Sequence, residues 1–229
     1  ADHTTVTSIT SAARSMTAIE HVIRADLTDM SVMGSTDDLT GNTGDILGNA
    51  VAAKLDADLV GLFSGFSQTS VGAGTALSLS GVFDALRQLR GAGAPAPYNL
   101  VMSDQGIWGD KGLRSLLVQG GNTGTNAVPH SLLGAEGQEF LSRGFVDRMG
   151  NIDIYFCNEI SDDVASGGDS ASGMFSAGAI GLAVGPKGLY GIEPQRDASA
   201  RATEYVATGI WKAGEVKNNF GVYILHDVS

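Results

Sequence analysis

An apolar stripe in the first third of the chain constrains the fold more than any other feature. Leu47, Val51, Leu55, Leu59, Leu62, Phe63 and Phe66 recur at steps of three and four, with no proline among them. That spacing places them on one face of a helix, and Thr43 ahead of Asp45 offers the side-chain oxygen an N-cap needs. The stripe predicts one continuous helix over 44–66, about 35 Å long. Helices in globular proteins average about 11–12 residues, so this rod is long for an enzyme. Gly48 and Gly61 each weaken it by about 1 kcal/mol relative to alanine, and the Gly/Ser segment from Ser67 to Gly74 ends it.

The remaining pattern mixes helices with strands. Leu79, Val82, Phe83, Leu86 and Leu89 predict a second helix over 78–90, closed by Gly91 and then Pro95 and Pro97. Tyr98 to Met102 reads as a buried strand. Ser103 or Asp104 then caps a third helix carrying Ile107, Trp108, Leu113, Leu116 and Leu117. Residues 119–131 form a Gly/Asn/Thr loop. Phe145–Met149 and Ile152–Phe156 flank Gly150-Asn151, a pair suited to a tight hairpin turn. Ser161 to Ser172 reads as a polar loop, Met174 to Val184 as an apolar stretch. Strands over 205–211 and 220–225 are expected to join around Lys212-Ala213-Gly214-Glu215. The class is α+β. The first 19 residues are rich in Thr and Ser and have no self-contained apolar face. Residues 1–30 are therefore expected to gain most of their burial from other subunits.

Composition narrows the chemistry. With 14 Lys+Arg against 25 Asp+Glu the formal net charge is −11, and the basic residues are dispersed, so a sequence-reading nucleic-acid binder is not indicated. No apolar run approaches the ~18–20 residues of a membrane span. The chain opens at Ala1 with neither Met nor a leader pattern, as a processed product or part of a longer chain would. Its 32 glycines show no three-residue period and suit a thin chain with sharp turns. Cys157, the one cysteine, lies in the apolar run Ile154–Cys157 and reads as a buried small hydrophobe. His3, His21, His130 and His226 form no metal-ligand spacing. No nucleophile elbow, phosphate loop or dinucleotide fingerprint occurs. Asp162, Asp163 and Asp169 have calcium-binding chemistry without the bidentate Glu, and read as a solvated loop. Asp56 and Asp58 stand two apart on a helix, too far round it to work as a paired acid and base. Trp108 and Trp211 read as core or interface aromatics. The expectation is no catalytic residue, no cofactor and no metal.

The order of elements carries a resemblance. A Thr/Ser ribbon leads into "DILGNAVAAKLDADLVGLFSG" (45–65). "GVFDALRQLR" (81–90), "YNLVMSDQGIWGDKGLRSLL" (98–117) and "GFVDRMGNIDIYFCNEI" (144–160) follow. "SGMFSAGAIGLAVGPKGLYGIEPQRD" (172–197) and "GVYILHD" (221–227) close the chain. In this arrangement the chain resembles the major capsid proteins of tailed bacteriophages, with the Hong Kong-97-type fold shared by herpesvirus shells and encapsulins. The resemblance implies the end of an extended loop with its lead-in over 1–37, a spine helix with peripheral-domain helices over 38–90, an axial domain over 91–186 and peripheral-domain strands over 187–229. It departs from the family at the start, where only the end of the extended loop is seen.

The function so implied is a structural subunit that self-assembles into hexamers and pentamers of an icosahedral head. The head would enclose double-stranded DNA without reading its sequence. Its partners would be further copies of itself, then portal, scaffolding or cement proteins, with no membrane. Its place would be the virion shell, assembled in the host cytoplasm. An encapsulin-like compartment shell and a soluble enzyme with an unrecognised site stand as alternatives. Glu20, Arg24, Arg196 and Arg201 are the candidate inter-subunit contacts, where opposite charges would set ring register.

Overall fold

The computed structural model describes residues 15–113, 148–149, 151–164, 167–186 and 188–228. Two sheets and one long helix organise them.

The first sheet is built on β9 (Ala202–Glu215). Along one edge runs β1 (Ile19–Thr28), antiparallel, in unbroken register from Ile19↔Trp211 to Thr28↔Ala202. β7 (Ile180–Val184) and β8 (Gly191–Asp197) also pair antiparallel with β9, which they follow in succession. Between Val184↔Trp211 and Gly191↔Thr208, β9 advances three residues while the other strand spends seven, so four are looped out. β7, the bulge and β8 thus form one arm of a long hairpin whose tip is the turn Asp197–Ala202. Asp197 shapes that turn by accepting from the Ser199 and Ala200 amides at 2.8 and 3.1 Å.

The long helix α2 (Leu39–Val60) follows the short α1 (Asp29–Gly34) and lies on this sheet. Leu47 and Val51 point down onto Ala207 and Trp211, with Ile23, Ala25, Leu55 and Tyr205 around them. Past Val60 the chain tightens into a 3₁₀ turn, Phe63–Gly65. Phe63 and Phe66 then reach a different surface, against Val101, Phe175 and Tyr223. The apolar stripe is therefore shared: its first half holds the four-stranded sheet and its last two aromatics hold the six-stranded one.

That second sheet has the order β2-β10-β6-β3-β5-β4, from β2 (Gln68–Ala76), β3 (Tyr98–Met102), β4 (Arg148–Met149), β5 (Ile152–Phe156), β6 (Asp169–Ser176) and β10 (Gly221–Asp227). One face carries Leu100, Met174, Val222 and Ile224 against α3 (Leu79–Gly91) and α4 (Asp104–Trp108), with Ile107 and Leu113 closing the core. The other face takes Phe63 and Phe66. Gly173 makes that approach possible, because a Cβ there would lie 2.6 Å from the Phe63 ring. Ser78 and Ser103 cap α3 and α4 by accepting from the Gly81 and Gly106 amides at 3.1 and 3.0 Å.

Several expectations need correction. The helix spans 39–60, not 44–66, and Asp38 rather than Thr43 caps it, its Oδ1 accepting from the Gly41 amide at 3.0 Å. Thr43 lies inside the helix and donates its hydroxyl back to the Leu39 carbonyl at 2.7 Å. Residues 19–28 are not a ribbon awaiting a neighbour, since the whole of β1 pairs within its own chain. Residues 212–215 continue β9 instead of turning. β10 lies in the six-stranded sheet, apart from the strands that begin at 187, while β7 joins those strands from within 91–186. The hairpin over 145–156 pairs as expected where Arg148 and Met149 meet Asp153 and Ile152. Its residues 145–147, the helix positions Leu116 and Leu117, and the loop over 119–131 lie outside the described residues.

Candidate functional site

Strand alternation divides the four-stranded sheet into two faces. His21, Ile23, Ala25 and Leu27 of β1 face α2. Glu20, Val22, Arg24 and Asp26 face away, and with Val206, Thr208, Ile210 and Lys212 of β9 they make a mixed outer surface that no described helix covers.

Where α2 meets the sheet, Asp58 gathers three partners from distant parts of the chain. Trp211 Nε1 donates to its Oδ2 at 3.1 Å, Lys54 Nζ donates to its Oδ1 at 2.7 Å, and His21 Nε2 stands 3.8 Å from Oδ2. The His21 and Trp211 rings stack with centroids 4.2 Å apart. Burial alone would raise the Asp58 carboxyl, but the hydrogen bonds from Lys54 and Trp211 outweigh it and hold the group below the usual carboxylate range. This cluster is a bolt between helix and sheet. Asp58 also answers the question of a paired acid and base, because its oxygens are committed and Asp56 takes no part.

Of the four sequence-derived contact residues, Arg196 and Arg201 lie at the hairpin tip and Arg24 on the neighbouring strand, opposite Val206. Arg196 donates through both terminal nitrogens to Asp29, each at 2.6 Å. Arg24 Nη1 reaches Glu204 Oε1 at 3.3 Å. Arg201 occupies the left-handed region at φ 48° in the turn, and its carbonyl accepts from the Asp29 amide at 2.9 Å. By register Arg24 sits on the outer face, and Arg196, opposite Thr203, on the α2 face, so the two do not form one patch. Glu20 stands farther up β1, beside the groove bordered by Lys54 and Trp211. Arg24 and Arg196 thus already have partners inside the chain.

The sequence reading missed a more conspicuous surface. α1 has no buried residue, and Met30 and Met33 are each 85% exposed. Ile46 on α2 is 67% exposed, and Leu182, Val184, Tyr190 and Ile192 stand open along the β7–β8 arm. Each of these side chains is left open by the chain itself, α1 most of all. The signal was present in the sequence as Met30-Ser31-Val32-Met33 beside Gly34, a run too short to bury its own side chains.

The residues weighed for chemistry have structural roles. Cys157 is half-buried among Val60, Ile160 and Ala179, and burial pushes its thiol up from the ordinary value. Asp169 is buried, not solvated, and accepts from the Gly74 amide at 2.8 Å. Trp211 is wholly buried and Trp108 partly exposed. His226 is wholly buried within the six-stranded sheet. His3 and His130 lie outside the described residues.

Comparison with known proteins gives no match to any protein-family model and none to any curated protein sequence. Solved structures do match. A structure of Mycobacterium phage Che8 superposes with a TM-score of 0.63 at 13% identity, covering 94% of this chain and 76% of that one. The capsid of the cyanophage P-SCSP1u gives 0.63 at 13% identity, covering 98% and 81%. The SrpI encapsulin of Synechococcus elongatus gives 0.64 at 9% identity, covering 93% and 75%. The chain is α+β and adopts the Hong Kong-97-type capsid fold, as its order of elements led us to expect.

Proposed function

We propose that this chain is the major capsid subunit of a tailed bacteriophage, working by self-association into hexamers and pentamers of an icosahedral head that encloses double-stranded DNA. The observation that carries the reading is the extent of the likeness: the capsids of phages P-SCSP1u and XM1 and of native and empty GTA particles cover 91–99% of the chain. Both sheets and the long helix therefore fall inside the shared architecture. On this reading α2 is the spine, the six-stranded sheet with α3 and α4 is the axial domain, and the four-stranded sheet is the peripheral domain with the base of the extended loop. The domain limits inferred from sequence shift accordingly, to give β7 to the peripheral domain and β10 to the axial one.

The physical chemistry agrees. A closed shell repeats a heterologous contact around its rings, so many modest interfaces sum to high stability. Glu20, Arg24, Arg196 and Arg201 remain our candidates for setting register, and the exposed methionines of α1 add an apolar contact. A net charge of −11 keeps the inner wall from holding on to DNA. The subunit has no catalytic role in this account. Portal, scaffolding and cement proteins are its further partners, and the virion, assembled in the host cytoplasm, is its location.

The encapsulin match, with a TM-score of 0.64, supports a second reading as a compartment shell with protein cargo. Sedimentation and electron microscopy of the purified chain test the class: closed particles tens of nanometres across are expected. Nuclease-protected DNA in particles from infected cells distinguishes the head from the compartment. A chain that stays monomeric under every assembly condition yet turns over a substrate would overturn both.

A further inference from the structure

His226 is the one titratable side chain of the six-stranded sheet that sits fully buried with neither ring nitrogen bonded to a side chain among the described residues. It lies on β10 opposite Ser170, on the face covered by α4. The cover is close: a Cβ on Gly106 would stand 3.1 Å from Nε2 and 3.3 Å from Cε1, so α4 presses bare backbone against the ring. The same short segment is held at two other points. Ser103, its cap, shares a 3.0 Å hydrogen bond with Ser170, and Lys111 donates to Asp227 at 2.7 Å. Two more buried oxygens nearby, Ser172 Oγ and Asp162 Oδ1, also lack partners. The described charged groups facing the ring are Asp162 from the chain after β5, Asp169 from β6, Asp227 from β10, and Lys111, already bound to Asp227. Asp104 and Asp110 of the α4 segment are exposed.

We propose that His226 is an acid-operated latch, in which protonation of the buried ring releases the segment Ser103–Leu113 from the end of the six-stranded sheet. Among the described residues a cation at this position has only the Ile224 backbone to bond to, which does not offset its burial, and lifting α4 would let water solvate it. Burial holds the ring below its ordinary value of 6.5, and the opposite pull of Asp162, the Ile224 backbone, Asp169 and Asp227 does not restore it. The sign follows from linkage. The opened state takes up a proton more readily than the closed one, so closure is favoured fully above pH 6.5 and loses ground as pH falls below it.

Amide hydrogen exchange of the full chain, followed by mass spectrometry and corrected for intrinsic rates, tests the latch. Between pH 7.5 and pH 5.5, protection over 103–113 should fall by up to tenfold per pH unit below 6.5, while that of β9 stays level. His226→Gln and His226→Phe should each abolish the pH dependence. Should neither variant fold, exchange of the His226 C2 proton in the natural chain decides the matter. Half-titration below 6.5, with exchange slower than at the partly exposed His21, is expected. Protection that is level with pH, a pH dependence that survives in either variant, or a ring that titrates at or above 6.5 overturns the proposal.

Discussion

The two sheets solve the burial problem in opposite ways. The six-stranded sheet is closed on both faces, by α3 and α4 on one side and by Phe63 and Phe66 on the other, and it supplies most of the fully buried side chains. The four-stranded sheet is closed on one face only, and there α2 contributes just Leu47 and Val51 as buried residues along 22 positions. Its outer face interleaves Val22, Val206 and Ile210 with Arg24, Glu204 and Lys212. One region is complete as a folding unit, while the other is thin and holds its shape through a few strong fixtures. On the proposed shell role, the doubly covered sheet would serve as the block and the thin sheet would leave its open surface for neighbours.

This contrast can be broken at its fixtures. Trp211 is the largest wholly buried side chain among the described residues and both packs under α2 and donates to its Asp58. Trp211→Ala should cost about 3–5 kcal/mol by denaturant titration. A loss below about 1 kcal/mol would mean that the thin sheet is held elsewhere. Leu100→Ala, in the doubly covered core, should cost about 2–5 kcal/mol. In hydrogen exchange its effect should spread through β3, β5 and β6 and spare β1, as two separate cores require.

Asp58→Asn sharpens the comparison further. It leaves the Lys54 and Trp211 donors facing a neutral amide, and hydrogen bonds to a charged group are worth about 1.5–3 kcal/mol. Because the folded carboxyl sits below its ordinary value of 3.8, its contribution is present above that pH and lost as pH falls through the lower folded value. The natural chain should therefore lose stability more steeply than Asp58→Asn as pH falls below 3.8. Equal acid slopes would show that Asp58 does not bolt the helix down. Val22→Ala, on the open face, should change the stability of the isolated chain by no more than about 0.5 kcal/mol.

How far the sequence could be read follows the same division. Elements that depend on near neighbours were legible: Ser78 and Ser103 cap where a serine before an apolar period should, and the stripe from Leu47 to Phe66 announced α2. The helix start was misplaced because Gly41 and Gly44 disguise its first turns, leaving Thr43 as the visible cap. β1 was legible but unread. Ile23-Arg24-Ala25-Asp26-Leu27 alternates strictly, the signature of a half-covered strand, yet the Thr/Ser composition upstream suggested a ribbon. Sheet membership was not legible, since whether β10 joins β9 or β6 depends on where the chain returns after Phe220. The Asp58 cluster was also out of reach, because its members stand at positions 21, 54, 58 and 211. The exposed methionines of α1 stood in the sequence as Met30-Ser31-Val32-Met33, an apolar run too short to bury its own side chains.

The smallest expected effect on the isolated chain is also the most informative about assembly. Arg196 and Asp29 make a bidentate pair across the solvent-facing end of the sheet, and an exposed pair contributes little to folding. Arg196→Glu should leave the denaturation midpoint of the monomer almost unmoved, while setting two carboxylates against each other beside the hairpin tip. If the pair matters only by fixing α1 to β8, the double exchange Asp29→Arg with Arg196→Glu restores it, and particle yield returns to that of the natural chain. If Arg196 instead faces a carboxylate on a neighbouring copy, the exchange repairs the internal pair but leaves the intermolecular one repulsive. Particle counts then stay low and rise with salt, because screening within about 8–10 Å weakens the repulsion. Yields equal to the natural chain in both variants would remove Arg196 from the proposed register-setting contacts.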